Sequence, residues 1–207
     1  MRADKRLYEL LSEFGLDDEE LPGFSALWAE NISPGELARA LGSADLTGVE
    51  CGLDDIDAHL AHLGDDDGAA WIGPHGDWAL AIQVADGCSL GATANLLRVS
   101  RGRRAIGIHW DLGGNDKLAY AADGVLLTRF APSWPDSRIG ENVRVLDPFM
   151  AGLRFQMDDP SDRAIVNPVT FEESVSSALV LAGRVTGTEL DATWLRNTHR
   201  LFVLPSN

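Results

Sequence analysis

Hydrophobic residues recur at helical spacing in several segments toward the two ends of the chain. The first segment, residues 3–14, is predicted to be a helix from the positions of Leu7, Leu10, Leu11 and Phe14. A second helix is predicted over residues 34–41, because Ser33, Pro34 and Glu36 match a capping box with proline at the first helical position. The same spacing predicts further helices over residues 54–63, 89–99, 143–153, 171–184 and 188–196.

The middle of the chain alternates hydrophobic and polar residues instead. Strands are predicted over residues 77–84 and 104–112, and a hairpin joins 117–122 to 125–130 across Asp123 and Gly124. Residues 201–204 are predicted to form a further strand, and residues 24–32 form a strand or a helix. The tight connections between residues 104 and 130 exclude a doubly wound parallel sheet. The sequence therefore predicts an α+β fold, with a mainly antiparallel sheet and flanking helices.

The chain divides into a short N-terminal part and one larger domain. Residues 1–23 are predicted to be an N-terminal helix followed by an acidic connector. Residues 24–207 are predicted to be a single α+β domain, with a C-terminal helical segment from about residue 169. Residues 156–168 carry aspartates and prolines and are expected to form an exposed loop.

Charge is distributed unevenly along the 207 residues. The formal net charge is −15, and residues 1–70 carry 17 acidic and 4 basic side chains. Such a field disfavours nucleic acid and anionic membranes as partners. Asp65, Asp66 and Asp67 are the candidate centre of an acidic docking surface for a protein partner, and such a surface suits a basic partner. The alternative is a solvated face that only aids solubility.

The two cysteines, Cys51 and Cys88, exclude a disulfide scaffold, whereas free thiols and a single bridge both remain open. No apolar run is long enough to span a bilayer, and acidic residues interrupt any N-terminal signal core. We therefore expect a cytoplasmic protein. The standard phosphate-binding, hydrolase and metalloprotease motifs are absent from the sequence, which makes an enzyme less expected.

One group of side chains has the spacing of metal ligands. Asp55, His59 and His62 would lie on adjoining turns of the helix at 54–63. They also fit the polar outer face of an amphipathic helix, which is the preferred interpretation. No metal and no cofactor are expected.

The sheet is predicted to have a second, more polar face. Residues opposite the core positions of the strands are small at one end and polar at the other, where the candidate binding residues are Gln83, His109, Asp111 and Arg129. Trp134, between Pro132 and Pro135, is the candidate exposed aromatic. The alternative is that the N-terminal helix covers the small residues and the polar groups only surround it.

Several segments together resemble an uncharacterised family of actinobacterial proteins of unknown function. The similarity begins near Phe24 and includes the residues 32–37 before Leu41 and Gly42, then 78–82, 100–102, 120–124 and 182–187. These segments are structural in type: a capping box, turns and strand alternation. The resemblance implies no activity, cofactor or catalytic residue.

Two functions remain after these exclusions. The preferred hypothesis is a non-enzymatic cytoplasmic protein that binds another protein through its acidic surface, as an immunity, antitoxin-like or adaptor protein would. The alternative is an enzyme or a small-ligand binder that uses the polar sheet face around His109 and Asp111. The sequence leaves the oligomeric state open.

Overall fold

The structure is a computed structural model that describes residues 5–16, 23–45, 47–61, 64, 67–85, 90–111, 113–155 and 168–205. These residues form one antiparallel sheet with helices on both faces. The helices are α1 (Arg6–Glu13), α2 (Pro34–Leu41), α3 (Ile56–Leu60), α4 (Thr93–Val99), α5 (Phe171–Thr186) and α6 (Ala192–Arg196). The strands are β1 (Gly23–Glu30), β2 (Val49–Cys51), β3 (Gly68–His75), β4 (Trp78–Ala85), β5 (Arg104–Asp111), β6 (Lys117–Ala122), β7 (Val125–Ala131), β8 (Trp134–Ile139) and β9 (His199–Leu204). The predicted α+β class is confirmed.

The order of strands across the sheet is β2-β9-β3-β4-β1-β5-β6-β7-β8. Every neighbouring pair is antiparallel, as the short connections of the central strands predict. β1 lies between β4 and β5, so the ambiguous segment at 24–32 is a central strand. Its side chains are buried on both faces, which explains why the sequence there lacks a clear alternation.

The first face of the sheet carries the large side chains and packs against α1, α5 and α6. Its strand residues include Trp28, Trp71, Leu80, Ile82 and Ile106, all of them buried. Leu7 and Leu11 of α1 join the same cluster and lie against α5. Burial of these apolar side chains is the main contribution to folding free energy.

The second face carries small side chains and packs against α2 and α4. Ala79, Ala81, Ala105 and Ala119 belong to the cluster that holds the buried leucines of these two helices. Alanines on the sheet let a helix approach closely, which fits the predicted row of small residues. The helices that cover this row are α2 and α4, whereas α1 lies on the other face.

The capping box is confirmed. Ser33 Oγ accepts a hydrogen bond from the backbone N–H of Glu36 at 3.4 Å, and the Glu36 carboxylate accepts one from the backbone N–H of Ser33 at 3.0 Å. Gly42 ends α2 in the left-handed conformation, with φ of 101°. A carboxylate in the first turn also suits the helix dipole.

One predicted helix is absent, and the edge strand β8 was not predicted. The helix expected at 143–153 is a series of turns with a short 3-10 segment at Asp147–Phe149, because Pro148 cannot lie in the interior of an α-helix. The sequence predicted no strand at 134–139, but β8 lies there as an edge strand, where the missing N–H of Pro135 leaves no neighbour unpaired.

A β-bulge separates the two halves of the β6–β7 pair. Tyr120 pairs with Thr128 and Ala121 with Leu126, so Leu127 has no partner in the register. Leu127 packs with the first-face cluster and Leu126 with the second. Simple alternation along 125–130 therefore places Arg129 on the second face correctly and misplaces Leu127.

No helix in the described part of the chain is both long enough and apolar enough to cross a membrane.

Candidate functional site

An open depression of about 660 Å³ lies on the second face of the sheet, beyond the residues that α4 covers. We call it the polar depression. It is formed by the ends of β5, β6, β7 and β8 and by the turn between β5 and β6. Its lining residues are His109, Asp111, Gly114, Asn115, Asp116, Lys117, Arg129, Phe130, Ala131, Ser137 and Ile139.

His109 is fixed at the inner wall of the polar depression. Ser25 stands opposite His109 in the β1–β5 register, and Ser25 Oγ shares a hydrogen bond of 2.6 Å with His109 Nδ1. Gly91 lies against the same side chain, since a Cβ built on Gly91 would stand 2.7 Å from His109 Cβ. The segment that leads into α4 therefore holds the imidazole against the sheet.

The electrostatic surroundings favour a neutral imidazole. Burial lowers the pKa of His109 below its usual range, and the positive charge of Lys117 lowers this pKa further. The Asp111 carboxylate partly offsets the shift, with Asp111 Oδ2 at 3.7 Å from His109 Nε2. This distance is too long for a direct hydrogen bond.

Ser25, His109 and Asp111 bring together the residue types of a hydrolytic triad, but their arrangement does not suit that chemistry. Ser25 is 5% exposed, so a substrate carbonyl cannot reach its hydroxyl. Its hydrogen bond to His109 joins two strands across the sheet interior. The group therefore orients the imidazole and does not present an activated nucleophile.

The two carboxylates of the polar depression are held by neighbouring residues. Asp111 accepts hydrogen bonds from the Asn115 side-chain amide at 2.9 Å and from the Asn115 backbone N–H at 3.1 Å. These bonds, the side-chain bond first, lower the pKa of Asp111. Asp116 accepts from the backbone N–H of Ser133 at 2.5 Å and from its hydroxyl at 2.7 Å. Both carboxylates thus stabilise the turns that border the depression.

The two cations of the polar depression are placed differently. Lys117 stands opposite His109 in the β5–β6 register, and Arg129 stands opposite Ala119 in the β6–β7 register. Within the described residues, neither side chain forms an ion pair with a carboxylate. Arg129 Nη1 donates to Thr93 Oγ1 at 3.2 Å. Burial, and then the charge of Arg129, lower the pKa of Lys117.

The candidate residues from the sequence are only partly brought together. His109, Asp111 and Arg129 line the polar depression, whereas Gln83 does not. Gln83 Oε1 accepts a hydrogen bond from the backbone N–H of Leu90 at 3.3 Å. Trp134 pairs with Ala131 at the sheet edge, is 65% exposed and is not among the lining residues.

Sequence reasoning missed Lys117, Asn115, Asp116 and Ser25. Lys117 could have been predicted, because alternation along 117–122 places it on the same face as Ala119 and Ala121. Ser25 could not have been predicted, because its role depends on pairing with a residue 84 positions away in the chain. Asn115 and Asp116 act through local turn hydrogen bonds that the sequence pattern does not specify.

The other candidates from the sequence lie elsewhere. Asp67 is exposed, and its carboxylate accepts from the backbone N–H of Gly64 at 3.1 Å, while Asp65 and Asp66 lie outside the described residues. His59 is exposed on α3, and His62 is also outside the described residues. Among the residues that are described, no three histidine, cysteine or carboxylate side chains are grouped as metal ligands. Cys51 is a buried free thiol, and Cys88 is not described.

Arg104, in the basic cluster at 100–104, has a structural role. Its guanidinium forms a two-point ion pair with Glu30 and lies 5.4 Å from the centre of the Trp78 ring. The hydrogen bond from Arg104 lowers the pKa of Glu30, and burial opposes this shift. These contacts join β5 to the adjacent strand β1.

The family assignment rests on a match over nearly the whole described fold. A family model described as a family of unknown function (DUF6461) matches residues 6–204. The chain belongs to this family. Neither a curated protein nor a solved structure matches the chain. The family match covers all four strands of the polar depression and does not assign them an activity.

Proposed function

We propose that this member of the DUF6461 family is a binding protein that takes a small ligand in the polar depression. One observation carries the proposal: side chains from separate strands meet in an open concavity, and two of them, Lys117 and Arg129, have no carboxylate partner among the described residues. The volume of about 660 Å³ lies within the range of small-molecule sites in proteins.

Binding is favoured over catalysis by the state of the candidate reactive groups. The Ser25 hydroxyl is enclosed, and the Asp111 and Asp116 carboxylates are engaged by Asn115 and Ser133. The hydroxyl and the two carboxylates thus form hydrogen bonds that fix the geometry of the site, as expected of a preformed binding site. The remaining donors, on His109, Lys117 and Arg129, are available to orient a ligand.

The test is a nuclear magnetic resonance screen of the purified full chain that follows the imidazole signals of His109. A pool of neutral, anionic and cationic small molecules should contain compounds that shift these signals in a saturable manner. In ligand-observed spectra of the same compounds, His109→Ala should abolish the binding, and it should lower the melting temperature by only about 2–4 °C, the effect of roughly 1 kcal/mol in a domain of this size. A pool without any saturable shift contradicts the proposal.

A protein partner is the second candidate, and the charge distribution favours it. Asp54, Asp55 and Asp57 are exposed near α3, and none forms an ion pair within the described residues. A basic partner would be attracted to such a surface. We propose that Asp65, Asp66 and Asp67 contribute to the same acidic docking surface, in an immunity-, antitoxin- or adaptor-like role.

Salt dependence tests this second candidate. Exposed charges are screened beyond about 10 Å at 0.1 M salt, so association with such a partner should slow steeply as salt is added. Replacement of Asp65, Asp66 and Asp67 together by asparagine should reproduce the effect of salt. A partner whose association rate is the same at all salt concentrations contradicts acidic docking.

We also propose that the protein works in the cytoplasm of actinobacteria. The composition supports this proposal: Lys5 and Lys117 are the only lysines among 17 basic residues, and only two cysteines are present. Localisation of a tagged chain in cell fractions would test the compartment.

A further inference from the structure

We infer that the ligand of the polar depression is a small organic anion, whose carboxylate or phosphate group lies between Lys117 and Arg129. This inference rests on the ligand-binding function proposed above. It adds the chemical class of the ligand and assigns the two cations as the residues that recognise it.

The register places the two cations at a suitable separation. Leu118 pairs with Phe130 and Ala119 with Arg129, so Lys117 and Arg129 are diagonal neighbours on adjacent strands. Diagonal neighbours on one face are about 7–8 Å apart at the backbone, within reach of long side chains. Both side chains line the depression, and one oxyanion between them can contact both.

The formal charges of the polar depression cancel, but within the described residues its cations, unlike its carboxylates, are left without hydrogen-bonded partners that would saturate them. Its two carboxylates are already bonded by Asn115 and Ser133, whereas Lys117 is half-buried without a carboxylate partner among the described residues. Removing an ammonium group from water without a counter-ion is costly, and a bound anion would supply that counter-ion. The lowered pKa of Lys117, caused by burial and then by Arg129, is consistent with two cations that repel each other.

Arg129 is oriented to accept such a ligand. Its Nη1 donates to Thr93 Oγ1 at the start of α4, which holds the guanidinium on the second face. A guanidinium has five N–H donors, and within the described part of the chain Arg129 forms only this hydrogen bond, so other donors are left for an oxyanion. Carboxylate and phosphate both match this planar arrangement of donors.

The size and lining of the polar depression indicate an organic body attached to the anionic group. A volume of about 660 Å³ is much larger than a bare oxyanion. Ala131 and Ile139 lie beside Arg129 on β7 and β8, and Ile139 is 48% exposed. An apolar part of the ligand that covers Ile139 would remove this surface from water.

The experiment titrates the full chain with four probes at constant ionic strength while recording the His109 imidazole signals. The probes are benzoate, phenyl phosphate, benzamide and inorganic phosphate. Benzoate or phenyl phosphate, or both, should shift the signals saturably, and neutral benzamide should bind at least tenfold more weakly. Comparison of benzoate with phenyl phosphate distinguishes a carboxylate from a phosphate ligand, and inorganic phosphate tests the need for an organic body.

Lys117→Met is the decisive variant, because methionine is also unbranched and of similar length but carries no charge. It should weaken binding of the anionic probe at least tenfold while the melting temperature stays the same or rises. Arg129→Met should weaken binding similarly. Arg101→Met is the matched control: Arg101 is exposed at the far end of α4, and its loss should change the affinity less than twofold.

The remaining outcomes separate the two proposals. Equal weakening by Arg101→Met and Lys117→Met would mean general charge attraction and would overturn the anion site. Binding of benzamide without preference for benzoate or phenyl phosphate would also overturn the anion class, while the ligand-binding function would stand. Absence of any saturable shift with these probes and with the mixed pool would overturn both.

Discussion

Ser25 and His109 stand directly opposite each other on β1 and β5, and their side chains share a hydrogen bond of 2.6 Å. The bond fixes the imidazole at Nδ1, so Nε2 is directed to the side where Asp111 lies. His109, the one histidine among the described lining residues of the polar depression, is thus oriented by a buried serine.

Ser25→Ala should therefore destabilise the protein and loosen His109. It leaves a partly buried imidazole nitrogen without its partner, which costs about 1–2 kcal/mol. Urea unfolding should show this loss, and the His109 signals should broaden or shift. Ser12→Ala, at an exposed position of α1, is the control and should leave both measurements unchanged. Equal stability of the Ser25 and Ser12 variants would contradict the importance of the bond.

Gly91→Ala should disturb the same imidazole from the opposite side. A new Cβ would lie 2.7 Å from both Cβ and Cγ of His109, a distance at which one of the two segments must move. We expect a lower melting temperature and a weaker response of the polar depression to ligands. Gly52→Ala is a suitable control, because its Cβ would meet only Asp55 Oδ2 at 3.6 Å. A Gly91→Ala protein with unchanged His109 signals would show that the contact is not tight.

The pH dependence of unfolding should report the buried histidines. Burial is the first cause that lowers the pKa of His75, His109 and His199 in the folded protein. The unfolded chain, with an ordinary histidine pKa of about 6.5, then binds protons that the folded chain does not. Stability is therefore fully present above about pH 6.5 and is lost as the pH falls below it.

Each such histidine contributes up to about 1.4 kcal/mol per pH unit, and urea unfolding between pH 7 and 5 measures the slope. This window lies above the ordinary carboxyl pKa values. His75→Gln should flatten the curve, because it removes one of the three histidines whose pKa burial lowers. A wild-type protein whose stability is constant from pH 7 to 5 would contradict the prediction.

The capping box gives a prediction at a distance from the site. Ser33→Ala removes the acceptor for the backbone N–H of Glu36 and should cost about 1 kcal/mol of stability. Glu36→Gln keeps a side-chain acceptor for the backbone N–H of Ser33 and should cost less. Urea unfolding distinguishes the two. A larger loss with Glu36→Gln would assign the stabilisation to the charge and not to the cap.

Local signals in the sequence predicted much of this fold. Ser33 and Glu36 predict the start of α2, Asp123 and Gly124 predict the β6–β7 hairpin, and alternation predicts both faces of β4 and β5. Each of these features is decided by a few adjacent residues. The small residues of the second face also correctly indicated close packing by a helix.

The features that the sequence did not predict depend on contacts between different segments of the chain. The segment at 143–153 has apolar residues at nearly helical spacing, but Pro148 interrupts it, and arginine side chains from outside the segment satisfy its carbonyl groups. Arg138 donates to Val143 O, and Arg184 donates to Phe149 O and Ala151 O. The polar depression was predicted only in part for a similar reason, since the pairing of Ser25 with His109 is a property of the assembled sheet.

The position of β9 has a consequence for how the chain is made. β9 lies between β2 and β3, and Leu201 pairs with both Val49 and Trp71. In the described part of the chain, β2 pairs only with β9. During synthesis, β2 and β3 leave the ribosome long before the strand that joins them. The edges of β2 and β3 that pair with β9 therefore stay open in the nascent protein until β9 is made. Closure of the sheet is thus a late folding step, and before it the open edges can mispair or be bound by a chaperone.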